Sequence, residues 1–421
     1  MTNLFDLPDE LVADVLSYLT KDKPALRNLS YTCRNASMLV RPVLFHDIGD
    51  VSPNLFDQAF REMSKFNLIR SSLEERPSLG PLVRSAKIRW TTRSPSIHDR
   101  ANIFLEKLSG LRSLELEIGS GGLPFEPMFL EQNKMELLNS LTISDSMLTL
   151  ASLKNFIWLG QFRSLSALCI KRLDESDLSI THNPGTSEVS RLHLCRAQHL
   201  PDEIFDNLLN IFTGVEFLEC MIPGSCSQGI VSRRVPSVML NELSPSRVLQ
   251  ALERSRQSLK EITIQCSPAR WPSHDGSRLD LTGFSCLQKI CIASRLFFQD
   301  PTPRTPTEAS RTREGLYKLL PSSLKELSIV FEQDCRFISV GHSSLPAPWH
   351  LFWCLELATH KATHFPGLAA VSLVEMIDLV THIHILFQMP VHMQEAFDTS
   401  NVTFSALCRE PKSSRSRIAA R

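Results

Sequence analysis

The sequence predicts an α/β chain: a unit of three short helices at the N-terminus, then a long array in which parallel strands alternate with helices. Three observations predict it. Residues 4–48 carry short apolar stripes at helical spacing, interrupted by TKDKP at 20–24 and by Pro42. An apolar pattern, L-x-x-L-x-L with substitutions, then recurs between residues 83 and 373. Segments between those repeats, such as PDEIFDNLLNIF at 201–212, have the early proline, first-turn acids and apolar spacing of a helix.

The first helix opens at Leu7-Pro8, since proline suits a first turn where its missing N–H costs nothing. Asp9 and Glu10 follow, where the helix dipole favours negative charge. Leu11, Val15 and Leu19 recur every four residues, with Val12 and Leu16 beside them, as one apolar stripe. A second stripe runs through Leu26, Leu29 and Cys33. A third helix is expected over Asn35–Val40, ended or kinked by Pro42. A unit this small rarely closes its own core. Its surplus apolar surface needs a partner, either the rest of the chain or another protein, so Leu11, Val15, Leu16 and Leu29 are expected to be only partly covered.

These motifs resemble the F-box. Leu7-Pro8-Asp9-Glu10-Leu11 matches L-P-x-E-L, a second Leu-rich stretch closes on Cys33-Arg34, and Pro42-Val43-Leu44-Phe45 matches P-x-L-F. Many members of that family have a tryptophan near the third helix, where this chain has Phe45. The resemblance covers about 45 residues. It implies docking on a Skp-type adaptor held by a cullin scaffold, with Leu7, Pro8, Leu11, Val15, Leu16, Leu19, Leu26, Leu29 and Cys33 facing the adaptor.

Residues 54–73 read as a helix, and Pro77, Gly80 and Pro81 break it. The array follows. Its pattern is the strand core of a leucine-rich repeat, starting at 83, 111, 138, 165, 189 and 215 in near-equal steps that suit one strand and one helix per repeat. Later starts at 259, 287, 324 and 368 follow in steps of 44, 28, 37 and 44 residues, and the long ones call for insertions or missed repeats. Strands are expected at about 112–118, 139–145, 166–171, 190–195, 216–221, 260–265, 288–293, 325–331 and 369–374. They should be parallel, on the concave face of a solenoid with helices outside, because parallel strands need crossovers. The Asn or Cys that normally closes each repeat turn is replaced by Gly119, Ser146, Leu173, Ala197, Pro223 and Ser267, so the repeats are irregular. Residues 299–313 are rich in Pro, Thr and Arg and read as a mobile insertion. A helix end, a turn at Ser400-Asn401 and a strand are expected to cap the array. The organisation is therefore an F-box at 1–49, a helical connector at 50–80, an irregular repeat array at 81–408 and a disordered basic tail at 409–421.

Composition narrows the function. Of 421 residues, Lys plus Arg number 45 and Asp plus Glu number 45, which argues against nucleic acid as a general partner. No apolar run reaches membrane-spanning length, and the N-terminus lacks a signal peptide's basic and apolar regions. The 11 cysteines form no C-x-x-C and read as reduced thiols of an intracellular protein, cytoplasmic or nuclear. Catalytic motifs fail: Gly341-His342-Ser343-Ser344-Leu345 lacks the second glycine of a nucleophile elbow, and His360 and His364 lack the glutamate of a zinc peptidase. Arg84, Lys87, Arg89, Arg93 and Arg100 read as a solvated edge. No cofactor or metal is expected.

The resemblance and the array together imply a non-catalytic substrate receptor of a Skp–cullin–F-box ubiquitin ligase, holding an unidentified protein target. Three other readings stay open: a scaffold that binds the adaptor without ubiquitination, an enzyme with an unrecognised site, and a leucine-rich adhesion or signalling module. Strand residues between the core leucines face away from the core. Among them Arg191, His193, Phe217, Glu219 and Met221 form the candidate target site, because aromatic, Met and Arg residues are enriched at interfaces.

Overall fold

The computed structural model describes residues 7–53, 65–90, 95–118, 136–145, 167–170, 189–194, 209, 212, 214–222, 244–266, 276–298, 313–331, 352–376 and 391–409. The chain divides into two compact units, Met1–Asp177 and Leu178–Arg421. In the first unit, helices α1 (Asp9–Tyr18), α2 (Lys23–Ser30) and α3 (Arg34–His46) lead into strand β1 (Asp47–Val51). Helix α4 (Lys65–Glu75), strand β2 (Ser85–Trp90), helix α5 (Pro95–Glu106) and strands β3 (Ser113–Ile118), β4 (Ser140–Asp145) and β5 (Ala167–Ile170) follow. All four pairings, from β1–β2 to β4–β5, are parallel and in chain order.

The second unit repeats that scheme. Its elements are β6 (Arg191–Leu194), β7 (Phe217–Ile222), α6 (Pro245–Leu252), β8 (Glu261–Cys266), β9 (Lys289–Ala293) and β10 (Glu326–Phe331). They continue through α7 (Phe352–Thr359), α8 (Lys361–His364), β11 (Ala370–Met376), α9 (Val391–Thr399) and β12 (Thr403–Arg409). Each of its strands pairs in parallel with the next in sequence. The fold class is therefore α/β, with parallel strands in the manner of leucine-rich repeats.

The repeat works because three apolar positions per strand go inward. Leu111, Leu114 and Leu116, and equally Leu287, Ile290 and Ile292, are all buried. Burying such a side chain contributes about 1.5–3 kcal/mol. Register is set at the residue just before each strand. The carbonyl of Arg84 accepts from the amides of both Arg112 and Ser113, at 2.8 and 2.9 Å. Arg112, Ser190, Glu216, Lys260, Gln288 and Lys325 each accept in the same way from the next strand.

The predicted closing element is present. Helix α9 ends at Thr399, Asn401 just beyond it takes φ 52°, and the Val402 amide donates to the Phe397 carbonyl at 2.9 Å. That is a left-handed helix stop, which asparagine tolerates. The chain turns back and lays β12 beside β11, with the Phe404 ring stacked on Phe397 at 4.4 Å.

Several expectations need correction. Helix α3 runs to His46, through Pro42, instead of stopping near Val40. Proline costs it one hydrogen bond, but Val40 is buried and Leu39, Val43 and Leu44 pack on the same core, so tertiary contact outweighs the local penalty. Strand β1 was not expected. Its two buried residues, Ile48 and Val51, are three apart, which breaks simple alternation. Gly49, at φ 62°, takes up the extra residue where the register shifts between Asp47 and Asp50. Arg313, assigned above to a mobile insertion, is buried with its guanidinium over the rings of Phe298 and Phe331. Of the expected helix at 54–73, the described part begins at Lys65. Arg409, assigned above to the tail, is the last residue of β12, opposite Met376. The remaining expectations for 299–312 and 410–421, and for the turn positions from Gly119 to Ser267, fall outside the described residues.

Candidate functional site

Two surfaces carry the residues singled out by the sequence. The first is the helical unit. Pro8 starts α1, its carbonyl accepting from Leu11 and Val12 at 3.0 and 3.1 Å. Asp22 caps α2 by accepting from the Ala25 amide at 3.0 Å. Cys33 caps α3, its sulfur accepting from the Ala36 amide at 3.3 Å. So Cys33 does not continue the α2 stripe; that helix ends at Ser30.

Helix α1 is apolar on two sides, and packing separates them. Val12 and Leu16 turn inward with Leu26 and Val40 to form a closed core, and Leu19 and Leu29 pack against its rim. Leu7, Leu11 and Val15 turn outward and are 41%, 51% and 40% exposed. Pro8 is exposed beside them. Of the nine adaptor-facing candidates, Leu16 and Leu26 are therefore corrected: both are fully buried and hold the unit together. Sequence reasoning missed Tyr18, which is 87% exposed. It lies three residues past Val15, so helical spacing alone adds it to the Leu7–Leu11–Val15 stripe. Tyr31 and Met38 are exposed as well.

In the same unit the basic stretch is neutralised across strands. Lys87 meets Glu115 at 2.9 Å and Glu117 at 3.2 Å, while Arg89 meets Glu117 at 2.9 Å and Asp50 at 3.3 Å. Register explains the ladder, since Lys87 lies opposite Glu115 and Arg89 opposite Glu117. Burial lowers the Lys87 pKa, but the hydrogen bonds to Glu115 and Glu117 and their negative charges together outweigh it and leave the ammonium's pKa raised. A free basic edge for nucleic acid is thus lost to internal pairing at these two positions.

The second surface lies on β6 and β7. Parallel register sets Arg191 opposite Phe217 and His193 opposite Glu219. The Arg191 guanidinium lies 3.9 Å from the centre of the Phe217 ring, and His193 Nε2 lies 3.2 Å from Glu219 Oε1. Four of the five target-site candidates therefore form two cross-strand pairs. Met221 lies on β7 opposite Gln265; its side chain is outside the described residues. On the same face, a shallow cavity of about 220 Å³ crosses β8 to β11, floored by small residues including Thr263, Cys291, Ser328 and Ser372 and edged by Glu261, Lys289 and Glu326.

Chemistry-bearing groups elsewhere are taken up by packing. The His360 ring stacks on Tyr317 at 3.9 Å, and His364 meets the same ring edge-on at 4.9 Å. Burial pushes the Cys220 thiol up to about 12. Among the described residues no group of three or more His, Cys, Asp or Glu could hold a metal ion. No helix among them is long and apolar enough to cross a membrane. Residues 341–345 lie outside the described residues.

Fold and surfaces together define a class: a leucine-rich-repeat-like array preceded by a three-helix unit with an open apolar stripe. No protein-family profile matches the chain, and no curated protein matches it in sequence. Among solved structures it is similar to the crystal structure of the Rad7 and Elc1 complex in yeast, with 12% identity over 94% of this chain and 88% of that chain. The TM-score is 0.31, and a likeness of that degree carries no argument about this chain.

Proposed function

We propose that the chain is the substrate-recognition subunit of a Skp–cullin–F-box ubiquitin ligase. The observation that carries this reading is the outward stripe of Leu7, Leu11 and Val15 on a helical unit whose core is already closed by Val12, Leu16, Leu26 and Val40. An open apolar stripe of this kind marks an interaction site, and its residues are those of the F-box pattern. Leu19, Leu29, Cys33 and Pro8 border it. The F-box spans 1–49, the connector 50–80 and the repeat array 81–409, with the basic tail after Arg409. A cullin is reached through the Skp-type adaptor, and the array holds a protein target through Arg191, His193, Phe217, Glu219 and Met221. The subunit performs no bond chemistry; it raises the effective concentration of a bound target near the ubiquitin-charged enzyme. It works in the cytoplasm or the nucleus.

The attachment of the helical unit favours such a role. Helix α3 passes into β1 without a linker, and Lys23 of α2 donates to the Asp47 carbonyl at the start of that strand. The apolar stripe is thereby carried on the strands of its own unit and not on a flexible linker. The test is co-expression with a Skp-type adaptor and a cullin, followed by purification of the complex. The wild-type chain should retain both, and Leu11→Asp with Val15→Asp should release both while circular dichroism of the array is unchanged. Replacing Leu7 and Pro8 by alanine should act in the same direction. Undiminished capture by both double variants would overturn the assignment, and adaptor without cullin would favour a scaffold.

A further inference from the structure

Among the described residues of the target surface, one cation has surroundings unlike those of its neighbours. His193 faces Glu219 at 3.2 Å, and Lys289, on the same face, meets Glu326 at 3.3 Å. Arg191 is exposed, and the described residues offer it no carboxylate; its guanidinium is laid on the Phe217 ring. Stacking of this kind holds the guanidinium by its flat face and leaves its N–H edge free for a planar anion. An arginine fixed in this way loses less conformational freedom on binding than a freely rotating one.

We propose that Arg191 anchors an acidic side chain, Asp or Glu, of an extended peptide segment that continues across the strands into the cavity over β8 to β11. This rests on the reading that the sheet face binds a protein target. Charge decides between the possible anions. One guanidinium matches one carboxylate. Glu219 and Glu261 flank Phe217, on its own strand and on the next, and are paired with His193 and Lys289 at 3.2 and 3.9 Å, so among the described residues Arg191 alone is left for an anion, and the second charge of a phosphoryl group would find no partner. The floor of Thr263, Cys291, Ser328 and Ser372 is low enough for a peptide backbone to approach and supplies three hydroxyls as hydrogen-bond partners. Strands lie about 4.8 Å apart, so β6 and β8 are separated by roughly 10 Å, which three extended residues span. The acid should therefore lie about three residues from the segment seated over β8.

The test is selection of peptides from a random 12-residue display library with the purified full chain. Parallel arms carry free or amidated C-termini and unmodified or phosphorylated serine. The expected result is enrichment of Asp or Glu at one position in the unmodified, amidated arm. Affinity should fall about tenfold or more on Arg191→Gln, and about equally on changing that acid to its amide. The two changes together should cost little more than either alone, which a merely structural arginine would not produce. Thermal unfolding of Arg191→Gln should match wild type. Selected peptides without an acid, but sensitive to Ser328→Arg, would overturn the anchor and leave the target face standing. Enrichment only with phosphoserine or a free C-terminus would also overturn it. Peptides insensitive to both Phe217→Ala and Ser328→Arg, or no selected peptide at all, would overturn the target face itself.

Discussion

The amide of Arg84 donates to the carbonyl of His46 at 2.9 Å, so the last residue of helix α3 is already the first acceptor of the parallel sheet. Arg84 and Arg112 then play the part of His46 for the strands that follow. The helical unit is thus joined to the first repeats by the same backbone device that joins the repeats to one another. No flexible joint lies between the apolar stripe of α1 and strands β1 to β3.

The two sides of α1 should separate in mutagenesis. Leu16→Ala empties a fully buried site and should cost about 2–5 kcal/mol in urea unfolding of the helical unit. Leu11→Ala, at a half-exposed site, should change stability by no more than about 0.5 kcal/mol. If adaptor capture falls with Leu11→Ala at unchanged stability, the outward stripe is a contact; equal destabilisation by both variants would contradict the described packing.

Two glycines allow the first repeats to approach closely. A Cβ on Gly80 would collide with the backbone carbonyl of Lys107, and one on Gly110 with the backbone carbonyl of Pro81. Backbone cannot yield as a side-chain tip can. Gly80→Ala and Gly110→Ala should each destabilise by about 1–3 kcal/mol. Gly214→Ala, with open space around it, should not. Differential scanning calorimetry on the three variants would decide.

The Lys87 ladder sets a pH dependence. The folded pKa of Lys87 is raised, so its contribution is complete below the ordinary value of 10.5 and is lost as pH rises through the higher folded value. The pair is partly solvent-exposed, so the effect should be no more than about 1 kcal/mol and weaker in high salt. Urea midpoints for wild type and Lys87→Met should differ at pH 8 and converge towards the upper end of the alkaline range. A constant difference across that range would show that Lys87 acts through packing alone.

Much of this fold was legible in the chain. The strand near 113–118 starts within a residue or two of its expected position, as do those near 261–266 and 326–331. An apolar triplet at strand spacing is a local signal, and repetition at near-equal steps leaves few ways to bury it except parallel pairing. The closing turn was legible for the same reason: Asn401 is a residue that tolerates the left-handed conformation a helix stop requires.

Other features needed the tertiary structure. Both stripes of α1 are apolar, so nothing in their spacing says that Leu16 goes inward and Leu11 outward; the positions of α2 and α3 decide it. Strand β1 carries no leucine triplet and depends on a bulge at Gly49 that only its pairing with β2 makes useful. The sequence by itself determined the periodic core, from Val83 to Leu373, and the presence of an apolar surplus at the N-terminus. Tertiary structure decided which part of that surplus stays open, and it brought Arg191 onto Phe217 from 26 residues away. Periodic burial is local and additive along the chain, whereas exposure and cross-strand pairing depend on residues distant in sequence.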